Sequence, residues 1–444
     1  MHQAAQVKRH VIALAALFAA VSPLIACAPA PAAAPAVNWS PQALEDLHRI
    51  AEATPTEGLP AETAALTELA QFALRAKTDP VAAAQLDVAA DALFASLAHS
   101  FSQGASEPTI ADPAWHIPLS AAPDMDALRM RLAEGTLPSA LLTPLLPQSD
   151  DYRTLREELA RVTAEEDTAD AAGPSRAARL IQLRANLERW RWLPRDLPAS
   201  RVEVRVPQFE VALVRPDRAP LVHAAIVGAR NTPTPSFAAE IRSVAINPTW
   251  TPPHSILAGE LLPRFRRDPS AAEREGFDVI GADGAVIAPN AVDWSARPFP
   301  YQLRQRAGAA NALGRIRFDL PNPFAIYLHD TPNRALFART DRALSHGCIR
   351  VAEPTGLAEA VINAPEWSST DIEVAIATGE GRTVHLAAPV SIYVLYLTAV
   401  AAEDGGVAYL ADLYGRDAGV IRALDLPDAA LVAGLTQATV SCAA

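Results

Sequence analysis

The tetrad Ser345-His346-Gly347-Cys348 is followed by Ile349-Arg350, and a second histidine, His329, stands sixteen positions before its serine. The chain holds only three cysteines, and this one has a glycine beside it and two imidazoles close in sequence. That grouping suits a thiol nucleophile with a general base. The thiolate is the reactive form, so such a cysteine needs a neighbour that lowers its pKa, and imidazole is the usual one. Gly347 lets another chain approach the sulfur, and the backbone N–H groups of Gly347 and Cys348 are natural donors to an oxyanion. An isolated cysteine has a competing reading as an inert, buried, small hydrophobe. A zinc centre of His329, His346 and Cys348 is another alternative. It lacks any CxxC or HExxH spacing, and a thiolate bound to zinc is not a free nucleophile. Neither a metal nor a cofactor is expected.

The wider pattern favours the nucleophile. Tyr327-Leu328-His329-Asp330-Thr331, a loop ending at Leu344, and then Ser345 to Val351 resemble the signature of the L,D-transpeptidase (YkuD) catalytic domain. That signature is a His, a loop of about this length, Ser/Thr-His-Gly-Cys, an apolar residue, and Asn or Arg. Leu187 to Pro194, Val227-Gly228, Thr232-Pro233-Thr234-Pro235, Asn247-Pro248-Thr249-Trp250, Asn311 to Arg315 and Asp412 to Asp417 are similar to further parts of the large, lid-bearing members from Gram-negative bacteria. Turn chemistry explains a few such glycines and prolines, but not a full set in order.

The resemblance implies a substrate and a set of roles. The substrate is a peptidoglycan tetrapeptide stem ending in D-alanine, with a diamino acid as its third residue. Cys348 attacks the carbonyl of that residue's L-centre, D-alanine leaves, and a thioester remains. The side-chain amine of a second stem then gives a 3→3 cross-link. Water gives carboxypeptidase activity instead, and another amine gives exchange. His329 is the base, since imidazole titrates near working pH. Tyr327 either assists through its phenol or packs. His346 orients the loop or contacts substrate, and Ser345 orients the loop or bonds His329. Arg350 is either a bidentate clamp for a stem carboxylate or part of a structural ion pair. Asn247 and Trp250 are weaker substrate-binding candidates and Arg315 another, with turn or core roles as the alternative. Acylation by carbapenems is implied as well. The competing reading in another class is an inactive envelope binding or scaffolding protein, against which the intact Cys348 and His329 stand.

These residues need a rigid frame. From Arg201 the period is that of strands: Val202, Val204 and Val206 alternate with polar residues, and short apolar runs follow. A β-sandwich-like catalytic domain is expected over residues 201–425. A polar, Arg-rich insertion at about 256–320 (Arg264, Arg266, Arg267, Arg274) resembles the lid subdomain, the alternative being a solvated surface insertion. Val390 to Leu397 reads as a buried strand rather than a membrane span. Residues 40–165 read as helices. Ser40-Pro41 and Asp79-Pro80 are start signals, and Ala84, Leu86, Ala89, Leu93 and Leu97 share a face. This block resembles the family's scaffold domain. Residues 166–200 form a linker and connecting helix, and no peptidoglycan-binding module separates the halves. The fold class is therefore α+β, an all-α scaffold domain followed by the sheet-rich catalytic domain with its insertion.

Residues 1–27 read as a signal peptide: Lys8, Arg9 and His10 precede an apolar stretch, Val11 to Ile25, too short to span a bilayer. Leu24-Ile25-Ala26-Cys27 resembles a lipobox, making Cys27 a candidate lipid anchor. Ordinary cleavage near Ala28 or within Ala30-Pro31-Ala32 is the alternative. Residues 28–39 are an Ala/Pro-rich tether. Either outcome predicts a periplasmic or envelope location. There disulfides are favoured, but a Cys348–Cys442 bridge would block the nucleophile, and Cys442 is expected as a free thiol in the tail 426–444. The net charge of −12 gives no case for nucleic-acid binding.

Overall fold

The structure, a computed structural model, describes residues 38–166 and 174–425. The expected signal peptide with Cys27, nearly all of the expected tether and the tail with Cys442 lie outside the described residues.

The helical half starts where the sequence places its caps. Ser40 accepts from the Ala43 N–H ahead of helix Pro41–Glu52, and Asp79 accepts from the Val81 N–H ahead of helix Pro80–Gln103. Each side-chain oxygen satisfies one of the backbone donors that a helix start leaves unpaired. The buried stripe of the long helix runs through Ala82, Leu86, Ala90, Leu93, Phe94, Leu97 and Phe101, while Ala84 is exposed. It is long and apolar enough to cross a membrane by length and composition, yet this stripe belongs to the same apolar core as Leu47, Leu142 and Leu155.

The connecting helix, Arg176–Trp192, is no spacer. Asn186, Glu188, Arg189 and Arg191 are completely buried. Arg191 binds Glu188 at 2.7 Å and reaches the Tyr152 hydroxyl at 3.0 Å. Buried charges survive only when paired and hydrogen-bonded: Arg191 finds Glu188 on the same helix, and Arg189 finds Asp417 from the C-terminal segment.

The strands, in chain order, are β1 (Trp115–His116), β2 (Arg201–Arg205), β3 (Glu210–Arg215), β4 (Arg218–Gly228), β5 (Ser236–Ile246), β6 (Phe277–Ile280), β7 (Val286–Ile287), β8 (Gln302–Gln305), β9 (Ile316–Asp319), β10 (Leu328–His329), β11 (Ala343–Ser345), β12 (Ile349–Val351), β13 (Arg382–Leu395), β14 (Ala399–Ala401) and β15 (Val407–Tyr409). One mixed sheet follows the path β5-β13-β2-β3-β4-β12-β10-β9, and β9 pairs again with β5. The two expected faces are thus opposite walls of a sheet that closes on itself. Val202, Val204 and Val206 point inward and are fully buried with Leu328, Ile349, Phe318 and Ile392.

Two boundaries differ from the sequence reading. Residues beyond β13 divide between the two cores: Tyr396 and Leu413 join the catalytic one, while Leu397, Ala399, Val420, Ala423 and Leu424 pack into the helical core. Short apolar runs declare burial but not the core they join. The insertion, in turn, ends before residue 316, because β9 belongs to the main sheet. The inserted body is β6–β8 with short helices, around its own core of Leu261, Phe265, Phe277, Trp294 and Leu303. Its arginines largely serve itself: Arg266 donates to the Trp294 carbonyl, and Arg264 and Arg274 pair with Glu275 and Asp268.

Candidate active site

β10 and β12 run parallel with Leu328 opposite Ile349 and His329 opposite Arg350. Side chains alternate across a strand, so once Leu328 and Ile349 fill the barrel, His329 and Arg350 share the other face. One step back, the Ile349 N–H donates to the Tyr327 carbonyl at 2.9 Å, which sets Tyr327 beside Cys348. Residues nineteen and twenty-one positions apart in sequence thereby form one patch. Cys348 is partly accessible and His329 is 4% exposed.

The tight loop before Cys348 is built from its own polar groups. Ser345 Oγ donates to the Cys348 carbonyl at 2.6 Å and accepts from the Gly347 N–H at 3.1 Å. Ser345 thus orients the loop and does not bond His329. Gly347 has φ +106°, a conformation that favours glycine. Its N–H is committed to Ser345, which corrects the expectation that it faces an oxyanion. The Cys348 N–H bonds no acceptor among the described residues.

The electrostatics also differ from expectation. Burial pushes the Cys348 thiol up, against the opposing pull of the Tyr327 backbone N–H and the Arg350 charge. No imidazole lowers it. Burial, then the charges of Arg350 and Arg317, depress His329 to about 4, while the carbonyls of Asp330 and Leu313 pull the other way. His329 Nδ1 lies 2.5 Å from the Asp330 carbonyl oxygen. Near neutral pH the pair is therefore a thiol and a neutral imidazole, with no direct hydrogen bond between them among the described contacts. A neutral imidazole at such a site is a proton acceptor.

Arg350 forms no ion pair among the described residues, and its Nε is buried without a hydrogen-bond partner. Burial lowers its pKa against the pull of Cys348. The structural ion pair considered for it is not found among the described residues. A half-buried guanidinium without a counter-charge suits an incoming carboxylate.

The other candidates fall elsewhere. Tyr327 has its ring under the Arg317 guanidinium, 5.2 Å away, and offers the site its backbone N–H. Asn247 is 2% exposed, and its carboxamide nitrogen donates to the carbonyls of Ala375, Ile376 and Glu380. It ties the end of β5 to the end of helix Ser369–Ala377, so its carboxamide nitrogen is committed to backbone carbonyls. Trp250 packs against Phe277 in the core of the insertion and pairs with Gln305 through its backbone. Arg315 lines a cavity of about 320 Å³ with Asp330, Arg334 and Glu373. His346 points to the insertion, with Nε2 2.6 Å from Glu260 Oε1. Two residues with no chemical signal in the sequence also support the loop. Thr234 Oγ1 donates to the Gly347 carbonyl at 2.9 Å, and the Tyr414 hydroxyl donates to the Gly228 carbonyl at 2.7 Å. Only their place in the family-like runs Thr232 to Pro235 and Asp412 to Asp417 hinted at them.

Residues 199–381 match the model of the L,D-transpeptidase catalytic domain (YkuD), and residues 36–159 match that of a scaffold domain. A Haemophilus influenzae protein described as "Putative L,D-transpeptidase" is 33% identical over 238 residues, which is 53% of this chain and 48% of that protein. The match thus spans about half the length of that relative.

Proposed function

As a chain that belongs to the L,D-transpeptidase family through its YkuD catalytic domain, behind a scaffold domain, the protein is, we propose, a peptidoglycan L,D-transpeptidase that forms 3→3 cross-links through a thioester on Cys348. The observation that carries this reading is the patch formed by β10 and β12. It sets the Cys348 thiol, a neutral imidazole and a guanidinium without an ion pair among the described residues on one face.

The donor is a tetrapeptide stem, whose third-residue carbonyl meets the sulfur. His329 takes the thiol proton as the S–C bond forms and gives it to the departing amine of D-alanine. This shuttle suits an imidazole kept neutral by burial. The Cys348 N–H faces the developing oxyanion. Arg350 binds a stem carboxylate, which supplies the negative charge missing around it. The side-chain amine of a second stem attacks the thioester, the amide forms, and the thiol returns. Export through residues 1–27, with Cys27 as lipid anchor or ordinary cleavage, brings the protein to this substrate in the cell envelope.

The test is intact-mass spectrometry of the protein with a disaccharide-tetrapeptide donor, beside Cys348→Ala. The expected adduct is the donor less D-alanine on the wild type only, chased by a second stem into a 3→3 dimer. Release as free tripeptide alone would replace cross-linking by hydrolysis. No adduct on folded protein would overturn the nucleophile. A carbapenem is expected to label the same sulfur.

A further inference from the structure

The peptide bond between Gly347 and Cys348 carries a backbone donor that is left open beside the sulfur among the described residues. A trans peptide points its C=O and its N–H in opposite directions. Thr234 Oγ1 holds the Gly347 C=O at 2.9 Å, so the Cys348 N–H is turned away from Thr234. It finds no acceptor among the described residues. Gly347 has the torsional freedom of glycine at φ +106°, so this peptide plane needs such a pin to hold one orientation.

Thr234 is itself held. It is completely buried, and its Oγ1 accepts from the Gly228 N–H at 2.9 Å. The Gly228 carbonyl accepts from the Tyr414 hydroxyl at 2.7 Å. A side chain at Gly228 would strike the Thr232 carbonyl and the Thr234 N–H, so the two segments touch backbone to backbone. Tyr414 comes from the segment after β13. Its N–H donates to the Tyr396 hydroxyl, which donates to Asp412 at 2.6 Å. The Arg416 N–H also binds Asp412, and its guanidinium binds both oxygens of Asp112 in the helical half.

We propose that Thr234, braced by Tyr414, is a positioning residue that fixes the Gly347–Cys348 peptide so that the Cys348 N–H serves as oxyanion donor. The helical half, through Asp112 and Arg416, is thereby tied to the nucleophile loop. The proposal rests on the acyl-transfer reading only in requiring a tetrahedral intermediate at Cys348.

Two reagents separate positioning from mere loop integrity. With p-nitrophenyl acetate the sulfur bonds to the acetyl carbon through an oxyanion, p-nitrophenolate leaves with the bonding pair, and His329 takes the thiol proton. With iodoacetamide the sulfur displaces iodide, and no oxyanion forms. Both rates are measured on the purified protein, with adducts located on Cys348 by peptide mass. Thr234→Val is expected to lose about 10²-fold in acylation, the scale for a lost oxyanion donor, and to keep its alkylation rate within about threefold. Thr234→Ser keeps the hydroxyl and both rates. Tyr414→Phe loosens the brace without removing the pin, so acylation falls about tenfold and alkylation holds; this variant also serves if Thr234→Val does not fold. Parallel loss of both rates, unchanged acylation, or a serine variant as slow as valine would each overturn the proposal. So would a wild type that alkylates but is not acylated by the ester. A wild type acylated by the ester but not by tetrapeptide stems would refute the peptidoglycan reading alone and leave the role of Thr234 standing.

Discussion

Acid should destabilise this protein through His329, and the size follows from its burial. The imidazole sits in the fold with a pKa of about 4, against 6.5 ordinarily. The unfolded chain therefore takes up the proton first as pH falls. Above pH 6.5 both states are neutral at this residue and stability is untouched. Between 6.5 and 4 the unfolded state binds more protons, so stability drops with falling pH, and below 4 the loss levels off. At about 1.4 kcal/mol per unit of separation, the loss from this residue is about 2 kcal/mol at pH 5 and about 3 kcal/mol at pH 4. His329 is almost wholly shielded from solvent, so little screening reduces it. The assay is urea unfolding of wild type and His329→Gln at pH 7, 6, 5 and 4. His223 is also depressed by burial, and the carboxylates titrate too, but both proteins share these groups. The stability of wild type relative to the variant should thus fall by about 2 kcal/mol between pH 7 and 5. Parallel curves would refute the buried, neutral imidazole. So would an acid limb of acylation centred near 6.5 rather than close to 4.

The remaining expectations are more local. Burial raises the Cys348 thiol, so its rate of alkylation by iodoacetamide should keep climbing through pH 9; a plateau below pH 8 would mean a pre-formed thiolate. Asp112→Ala strands the buried guanidinium of Arg416 and removes the second carboxylate near Arg189, and should cost about 3–5 kcal/mol in urea unfolding. Glu260→Gln removes the charge facing His346. With both side chains about half exposed, stability should change by less than about 1 kcal/mol, while amide hydrogen exchange in residues 257–261 should speed up; unchanged exchange would show that this contact does not hold the insertion. Asn247→Ala should lose about 1–3 kcal/mol by removing the carboxamide's bonds to three carbonyls, of which Ala375 and Ile376 keep other donors, and a loss of donor affinity without destabilisation would return Asn247 to the substrate.

Much of the site was legible because chemistry and strand alternation are written locally. Cys348, His329 and Arg350 stand out by type, and the Val202-Val204-Val206 alternation announced a sheet to carry them. Ser40 and Asp79 marked helix starts because a cap acts within three residues of itself. The misreadings share a cause. Asn247 and Trp250 looked like site residues because they lie in family-like runs, and nothing in such a run tells a buried amide tie from a substrate contact. The state of Cys348 was misjudged because a neighbour in sequence is not a neighbour in field: burial outweighs Arg350, and the nearer imidazole, His346, turns to the insertion.

By itself, then, the sequence marked Cys348 and His329 as the candidate nucleophile and base and determined the helical and strand-rich halves and their order, since these depend on residue type and on periods of two or 3.6 residues. Tertiary structure decided how the sheet closes, where the C-terminal segment packs, in which direction burial moves Cys348 and His329, and which side chains hold the Gly347–Cys348 peptide. Each of these depends on contacts between segments far apart in the chain, such as Thr234 with Gly347 or Asp112 with Arg416. No local pattern specifies which distant partner a buried hydrogen-bonding group will find, only that it must find one.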